Sequence, residues 1–167
     1  ETLAMFRESQ HRVKSMALVH ERLYQAKDLA RIDFAEYIRD LTSYLFQSYG
    51  VNSSLVRLKL DIDDVLLGID TAIPCGSIIN ELISNSLKYA FPAGQPGQIS
   101  IVLRLAADHQ LVLIVGDNGT GFPGDLDFRK TKSLGLRLVN TLVRQLKGTI
   151  ELERNEGTEF KIVFIVN

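Results

Sequence analysis

The sequence predicts an α+β fold: a two-layer α/β sandwich, with a mixed sheet covered by helices, preceded by an α-helical segment. Three observations predict it. Residues 3 to 24 contain neither glycine nor proline, and apolar residues recur there at helical spacing. Near Gly50 the pattern gives way to short β-rich runs bounded by turn residues. Beyond that point the order is strand, helix, strand, strand, loop, helix, strand, strand, which suits a sheet with helices on one face.

The elements follow in order. Leu3, Phe6, Val13, Ala17 and Tyr24 stand three or four residues apart, or at sums of these, and predict a long amphipathic helix over 3–24. Phe34, Ile38, Leu41 and Leu45 form the stripe of a second helix over about 33–48, with Asp33 as N-cap and Gly50 as terminator. Two such helices bury little alone, so each needs a partner surface on the neighbouring domain or on another chain. The domain boundary is expected at 50/51, giving a helical region 1–50 and a mixed domain 51–167. In the second part, Val56 to Leu60 alternates apolar and basic residues as a strand. Pro74 is read as the start of a helix whose apolar face is Ile78, Ile79, Leu82, Ile83, Leu87 and Ala90, and Pro92 stops it. Ile99 to Leu105 and Leu111 to Val115 read as neighbouring strands joined by Ala107, Asp108 and His109. A helix over 134–147 presents Leu138, Val139, Leu142 and Leu146 and closes at Gly148 as C-cap glycine. The strands 149–153 and 160–166 finish as a hairpin around Asn155, Glu156 and Gly157.

Composition narrows the function. The 19 basic and 20 acidic residues leave a formal charge of −1, so no global field draws nucleic acid or an anionic membrane, and neither is expected as a partner. One cysteine, Cys75, excludes an internal disulfide and fits a reducing cytosol. No apolar run has the length of a membrane span, and the N-terminal residues lack the order of a signal peptide. The chain opens mid-pattern without methionine and is read as a soluble, cytoplasmic piece of a parent that can carry membrane segments elsewhere.

Four polar clusters carry the chemistry. On the helix after Pro74, Glu81, Asn85 and Lys88 lie four and three residues apart and share a face. A carboxylate, an amide oxygen and an ammonium there could activate a nucleophile, ligate Mg²⁺ and neutralise phosphate; they could equally be a solvated face. Asp117, at the end of an apolar strand and followed by Gly119 and Gly121, could accept a hydrogen bond from an exocyclic amine; the bland reading is a glycine turn. Thr131-Lys132-Ser133-Leu134-Gly135-Leu136 brings a loop into a helix N-terminus, a ready phosphate site or an ordinary Ser133 cap. Gly157-Thr158 precedes the last strand.

Taken in order, N-E-L-I-S-N-S-L-K-Y-A, D-N-G-T-G, S-L-G-L-R-L-V and G-T-E-F resemble the ATP-binding boxes of the GHKL ATPase superfamily, across most of 74–166. Within it the chain looks most like sensor histidine kinases of the subgroup whose phosphoacceptor helix reads H-R-V-K-N-N. The resemblance implies a Bergerat-type fold that binds ATP and Mg²⁺. It implies Glu81 at the acid/base position, Asn85 on Mg²⁺, Lys88 on phosphate and Tyr89 beside the nucleotide. Asp117 would read the adenine amine, with Gly119 and Gly121 flanking the base. Lys132, Ser133, Gly135 and Leu136 fall at the phosphates, and Thr158 supports the adenine pocket. Residues 121–133 would be the lid. Two departures stand out: Ser133 replaces the glycine common at its position, and the lid is short, without an evident separate phenylalanine box.

His11-Arg12-Val13-Lys14 begins like a phosphoacceptor motif, but Ser15-Met16 follows where Asn-Asn belongs. Residues 15–24, S-M-A-L-V-H-E-R-L-Y, instead resemble the second dimerisation helix of the subgroup, so the acceptor is expected upstream of Glu1, and His20 is read as structural. The implied partners are ATP, a response regulator receiver domain and, in the intact kinase, a second copy of the chain. The competing readings are another GHKL enzyme, such as an anti-sigma serine kinase or a chaperone-like ATPase, and a pseudokinase acting as an interaction module.

Overall fold

The structure is a computed structural model describing residues 2–166. Helix α1 spans Thr2–Tyr24 and a two-residue strand β1, Ile32–Asp33, leads into α2, Phe34–Ser48. Then come β2 (Val56–Ile62), β3 (Leu66–Leu67), α3 (Ile69–Tyr89), β4 (Gly97–Leu105), β5 (Gln110–Asp117), α4 (Leu134–Gln145), β6 (Thr149–Glu153) and β7 (Thr158–Ile165). The main sheet has the order β2-β4-β5-β7-β6, with β2 parallel to β4 and the other pairs antiparallel. Helices α3 and α4 cover its inner face, which gives the expected two-layer α+β sandwich.

Strand alternation decides which side the helices take. Ile99, Ile101 and Leu103 of β4, Leu111, Leu113 and Val115 of β5, and Phe160, Ile162 and Phe164 of β7 are buried against Ile78, Ile79, Leu82 and Ile83 of α3 and Val139 and Val143 of α4 in a single core. The outer face carries Arg57, Lys59, Glu151, Glu153, Glu159 and Lys161, all exposed, around half-buried Val102, Val112, Ile114 and Val163. It is the less apolar face, as its alternation requires.

Helix α2 forms as the sequence indicates. The Glu36 amide donates to Asp33 Oδ1 at 3.0 Å, and Phe34, Ile38, Leu41 and Leu45 are buried against α3. Gly50 takes φ +62° just beyond the helix. Its entry is fixed by a ribbon that the sequence did not reveal, in which β1 pairs antiparallel with β3.

Three readings change. Helix α3 starts at Ile69, not Pro74, because Gly68 after β3 serves as N-cap; Pro74 sits inside and forgoes one backbone bond, while its fixed φ still suits the helix. At the end of α4 the left-handed residue is Lys147 (φ +54°), not Gly148, whose amide donates to Val143 O at 2.9 Å. Gly148 is needed for close approach instead: an added Cβ would stand 2.7 Å from the Val163 carbonyl of β7.

The third concerns α1. Its apolar stripe faces solvent: Leu3, Phe6, Val13 and Tyr24 are 61–68% exposed. The face turned to the protein is Glu8, Arg12, Ser15, Val19 and Leu23, of which the last three are buried, and it packs mainly on α3. Charge pairing with α3 at one end, and burial of Val19 and Leu23 at the other, settle the rotation of the helix against its longer apolar stripe.

Candidate functional site

Between α3, the end of β5, the 121–133 segment and the start of α4 lies a cavity of about 460 Å³. Its walls are largely apolar, with Leu82, Val115, Leu136 and Phe160 deep in it, and a few polar groups converge on it. This is the usual composition of a small-molecule site, in which apolar walls give affinity and fixed polar groups give orientation. Of the residues singled out from the sequence, Asn85, Tyr89, Asp117, Gly121, Ser133, Leu136 and Thr158 line it.

Asp117 is held at two points. Its Oδ2 accepts from the Ser86 hydroxyl at 2.6 Å and its Oδ1 from the Gly119 amide at 3.0 Å. A carboxylate has about four acceptor positions, so two remain for an incoming donor. Ser86, one residue past Asn85 on α3, is buried. Nothing in the sequence marks it, because a serine on a helix has no signature until the strand end that it faces is known. Thr158 is the register partner of Asp117 across β5 and β7, so the last strand delivers its side chain to the same cavity. Gly157 makes this possible: its φ is +105°, and a Cβ there would overlap the Asp117 carbonyl.

Gly119 does not line the cavity. Its bare Cα lets the loop cross the C-terminal end of α3, where a Cβ would overlap the Ala90 carbonyl, and the Thr120 amide donates to that carbonyl at 2.9 Å. Gly121, at φ +85°, does line it.

The 121–133 segment folds down onto the sheet. Phe128 is buried edge-on to Phe160, with ring centroids 5.4 Å apart, and Phe122 meets the same ring at 6.2 Å. Arg129 lies 4.4 Å from the Phe128 centroid and donates to Ile150 O at 2.8 Å, and Arg154 donates to Leu126 O at 2.8 Å. The sequence suggested no phenylalanine anchor in this short segment, yet Phe128 fills that structural part. At its end Ser133 occupies the N-cap position of α4 without a side-chain cap bond, and its own amide donates to Thr131 Oγ1 at 3.0 Å. The hydroxyl thus leaves the first amides of α4 without a side-chain cap; Ser133 and Thr131 line the cavity, and Lys132 is exposed beside them.

Glu81, Lys88 and Gly135 lie elsewhere. Glu81 and Lys88 line a narrow crevice between α1 and α3 with Glu8, Arg12 and Asn80. Arg12 grips the 2%-exposed Glu81 with Nε to Oε1 at 2.7 Å and Nη2 to Oε2 at 3.2 Å. Lys88 donates to Glu8 Oε1 at 2.8 Å. Burial opposes the Arg12 charge, but the hydrogen bond and charge of Glu81 outweigh it and raise the Arg12 pKa. The Lys88 hydrogen bond, against a smaller opposing effect of burial, holds Glu8 below the ordinary carboxylate value. Gly135 closes the crevice on the α4 side, since a Cβ there would lie 2.5 Å from Glu81 Oε2.

Comparison with known proteins identifies the family. The family model described as histidine kinase-, DNA gyrase B- and HSP90-like ATPase matches residues 71–166, more than half the chain, and one described as histidine kinase matches 1–49. The chain is 32% identical over 156 residues to the sensor histidine kinase PdtaS of Mycobacterium tuberculosis, covering 91% of this chain and 30% of that protein. It is 28% identical over 140 residues to blue-light-activated histidine kinase 2 of Erythrobacter litoralis, covering 79% of this chain and 40% of that one. The fold matches the solved histidine kinase domain of the Erythrobacter litoralis EL346 blue-light-activated kinase with a TM-score of 0.81 at 24% identity, covering 93% of this chain and 73% of that one. The chain belongs to the histidine kinase-, DNA gyrase B- and HSP90-like ATPase family, within its sensor histidine kinase group.

Proposed function

We propose that the cavity binds MgATP and that the chain serves, within a longer sensor histidine kinase, as the part that presents the γ-phosphoryl group to a histidine. The phosphoryl group then passes to an aspartate of a response regulator receiver domain. The observation that carries this reading is Asp117, a carboxylate fixed by Ser86 and Gly119 in an apolar-walled cavity, with acceptor positions left for an adenine amine. In this reading Tyr89, Gly121 and Thr158 border the base, and Ser133, Leu136 and the open amides of α4 meet the phosphates, with Lys132 and Gly135 beside them. Gly119 acts from behind, by seating the loop.

Asn85 fits magnesium. Among the described residues no group of three or more His, Cys, Asp or Glu could hold a metal ion. One amide oxygen suits an ion that arrives on phosphate oxygens and keeps several waters. Phosphoryl transfer asks the protein mainly for positioning and charge neutralisation. Lys88 would supply charge at the phosphates and Glu81 would take the acid/base position toward the histidine.

The helical region 1–50 then belongs to the dimerisation and phosphotransfer part of the kinase, and 51–167 to the catalytic part. His11 is exposed and stacks on Tyr49 with centroids 5.5 Å apart, a packing role that suits a histidine other than the acceptor. No described helix is long and apolar enough to cross a membrane, and the buried free thiol of Cys75 suits the cytoplasm. Homodimerisation of the intact kinase follows from the same assignment.

Titration calorimetry with MgATP tests the reading. The wild-type chain binds with magnesium dependence and Asp117→Ala abolishes binding; a folded wild type that binds no adenine nucleotide refutes it. With an acceptor helix supplied in trans, Glu81→Gln stops phosphotransfer; unchanged transfer removes Glu81 from the chemistry.

A further inference from the structure

The crevice beside the cavity carries an inference about regulation, and it rests on the MgATP reading. Two side chains wanted at the phosphates and the acceptor, Lys88 and Glu81, are both turned to α1 and both neutralised by it. The charges alternate along one line: Lys88 Nζ to Glu8 at 2.8 Å, Glu8 to Arg12 Nη2 at 3.5 Å, and Arg12 in a two-point contact with Glu81 at 2.7 and 3.2 Å. The Arg12, Glu81 and Lys88 side chains are 15%, 3% and 19% exposed and Glu8, which joins them, is 40% exposed, so the line runs from a partly exposed end at Glu8 to a buried one at Glu81. Glu8 and Arg12 stand four residues apart on one helix, against two groups two turns apart on the other. The missing Cβ of Gly135 lets Arg12 Nη2 come within 3.1 Å of where it would be, so the pair also abuts the first turn of α4.

We propose that α1 is an electrostatic latch: through Glu8 and Arg12 it holds Lys88 and Glu81 away from bound nucleotide, and displacement of α1 frees both together. Contacts elsewhere on the helix favour such coupling. Its apolar residues Leu3, Phe6 and Val13 face solvent, so over its first half α1 is held to the protein chiefly by these charges. A movement of α1 that exchanges Glu8 and Arg12 for water then costs little buried apolar area. Of the ion pairs that α1 makes with the rest of the protein among the described residues, the two that are largely shielded fall on the two candidate phosphotransfer groups, whereas the third, Arg22 to Asp40 of α2, is exposed on both sides.

Glu8→Gln tests this, with MgATP and adenosine titrated separately into the whole chain. Glu8 is 40% exposed on its side chain, so the substitution removes charge without opening a cavity. Freed Lys88 tightens MgATP by about fivefold, the order expected of one partly exposed ion pair, and leaves adenosine unchanged. In a Lys88→Gln background the gain from Glu8→Gln disappears. Equal MgATP affinity in wild type and Glu8→Gln, or a gain that survives without Lys88, overturns the latch. A wild type that binds neither adenosine nor MgATP overturns the nucleotide reading itself, and separates that failure from failure of the latch.

Discussion

Ser86→Ala separates a fixed recognition carboxylate from one that is merely present. The Ser86 hydroxyl holds Asp117 Oδ2 at 2.6 Å, a short bond of the charge-assisted kind. Without it the carboxylate keeps one anchor, the Gly119 amide at 3.0 Å, and can rotate toward water. Re-ordering it on binding costs about 0.5–1.5 kcal/mol, the usual cost of immobilising a side chain. Adenine nucleotide affinity should therefore fall roughly two- to twelvefold, since about 1.4 kcal/mol is tenfold. The fold loses a similar amount. A hydrogen bond to a charged group contributes about 1.5 kcal/mol at the lower end of its range. Alanine returns roughly 0.5 kcal/mol through helix propensity at this position within α3. The net cost of about 1 kcal/mol lowers Tm by about 2–4 °C in a chain of this size. The assay is calorimetric titration of MgADP and MgGDP into wild type, Ser86→Ala and Asp117→Ala, with scanning calorimetry on each. Ser86→Ala should lose adenine preference while staying folded. Affinity within twofold of wild type, or equal loss for both nucleotides, would refute the argument that Ser86 orients Asp117 toward the base.

Other expectations follow from packing and charge. Phe128→Ala removes a buried ring from between Phe160 and the Arg129 guanidinium and should destabilise by about 3–5 kcal/mol in denaturant titration, with loss of nucleotide binding as the 121–133 segment lifts. Gly157→Ala combines φ +105° with overlap on the Asp117 carbonyl, and should lower stability by more than about 1 kcal/mol in the same assay; a neutral result refutes the close approach of β7 to β5. Burial pushes the Cys75 thiol pKa well up, so an exposed-thiol reagent should label it only as fast as the chain opens, and rapid labelling of the native protein would contradict its position in α3. Glu8 has a folded pKa depressed by Lys88, so its stabilising effect is present above its ordinary value of about 4.5 and is lost as pH falls through the lower folded value. With the side chain 40% exposed, that effect is below about 1 kcal/mol, and the Tm difference between wild type and Glu8→Gln should close on acidification.

Local pattern was enough to show several features. The stripe Phe34, Ile38, Leu41 and Leu45 with its Asp33 cap and the alternation in β4 and β5 are set by spacing and by residue chemistry, so the two-layer sandwich could be read directly; the order of the four polar clusters, with the resemblance it carries, pointed to seven of the residues that line the cavity, Asn85, Tyr89, Asp117, Gly121, Ser133, Leu136 and Thr158. Residues whose meaning depends on a distant neighbour could not. Ser86 acquires its part only when β5 brings Asp117, thirty-one positions later, to the same place. Phe128 becomes an anchor only against Phe160, and the β1–β3 ribbon is two residues long on each side, too short for any periodicity.

Helix α1 marks the limit most sharply. Its sequence determines that it is an amphipathic helix, and its longest apolar stripe, Leu3 to Tyr24, predicts the buried face. Tertiary structure chose the other side, because the partner surface on α3 offers Glu81 and Lys88 as well as apolar groups, and Glu8 and Arg12 pair with them. A hydrophobic stripe states which face prefers to leave water. Which face does so depends on the surface it meets, and the complementary charges that decided it lie about seventy to eighty residues apart in the chain.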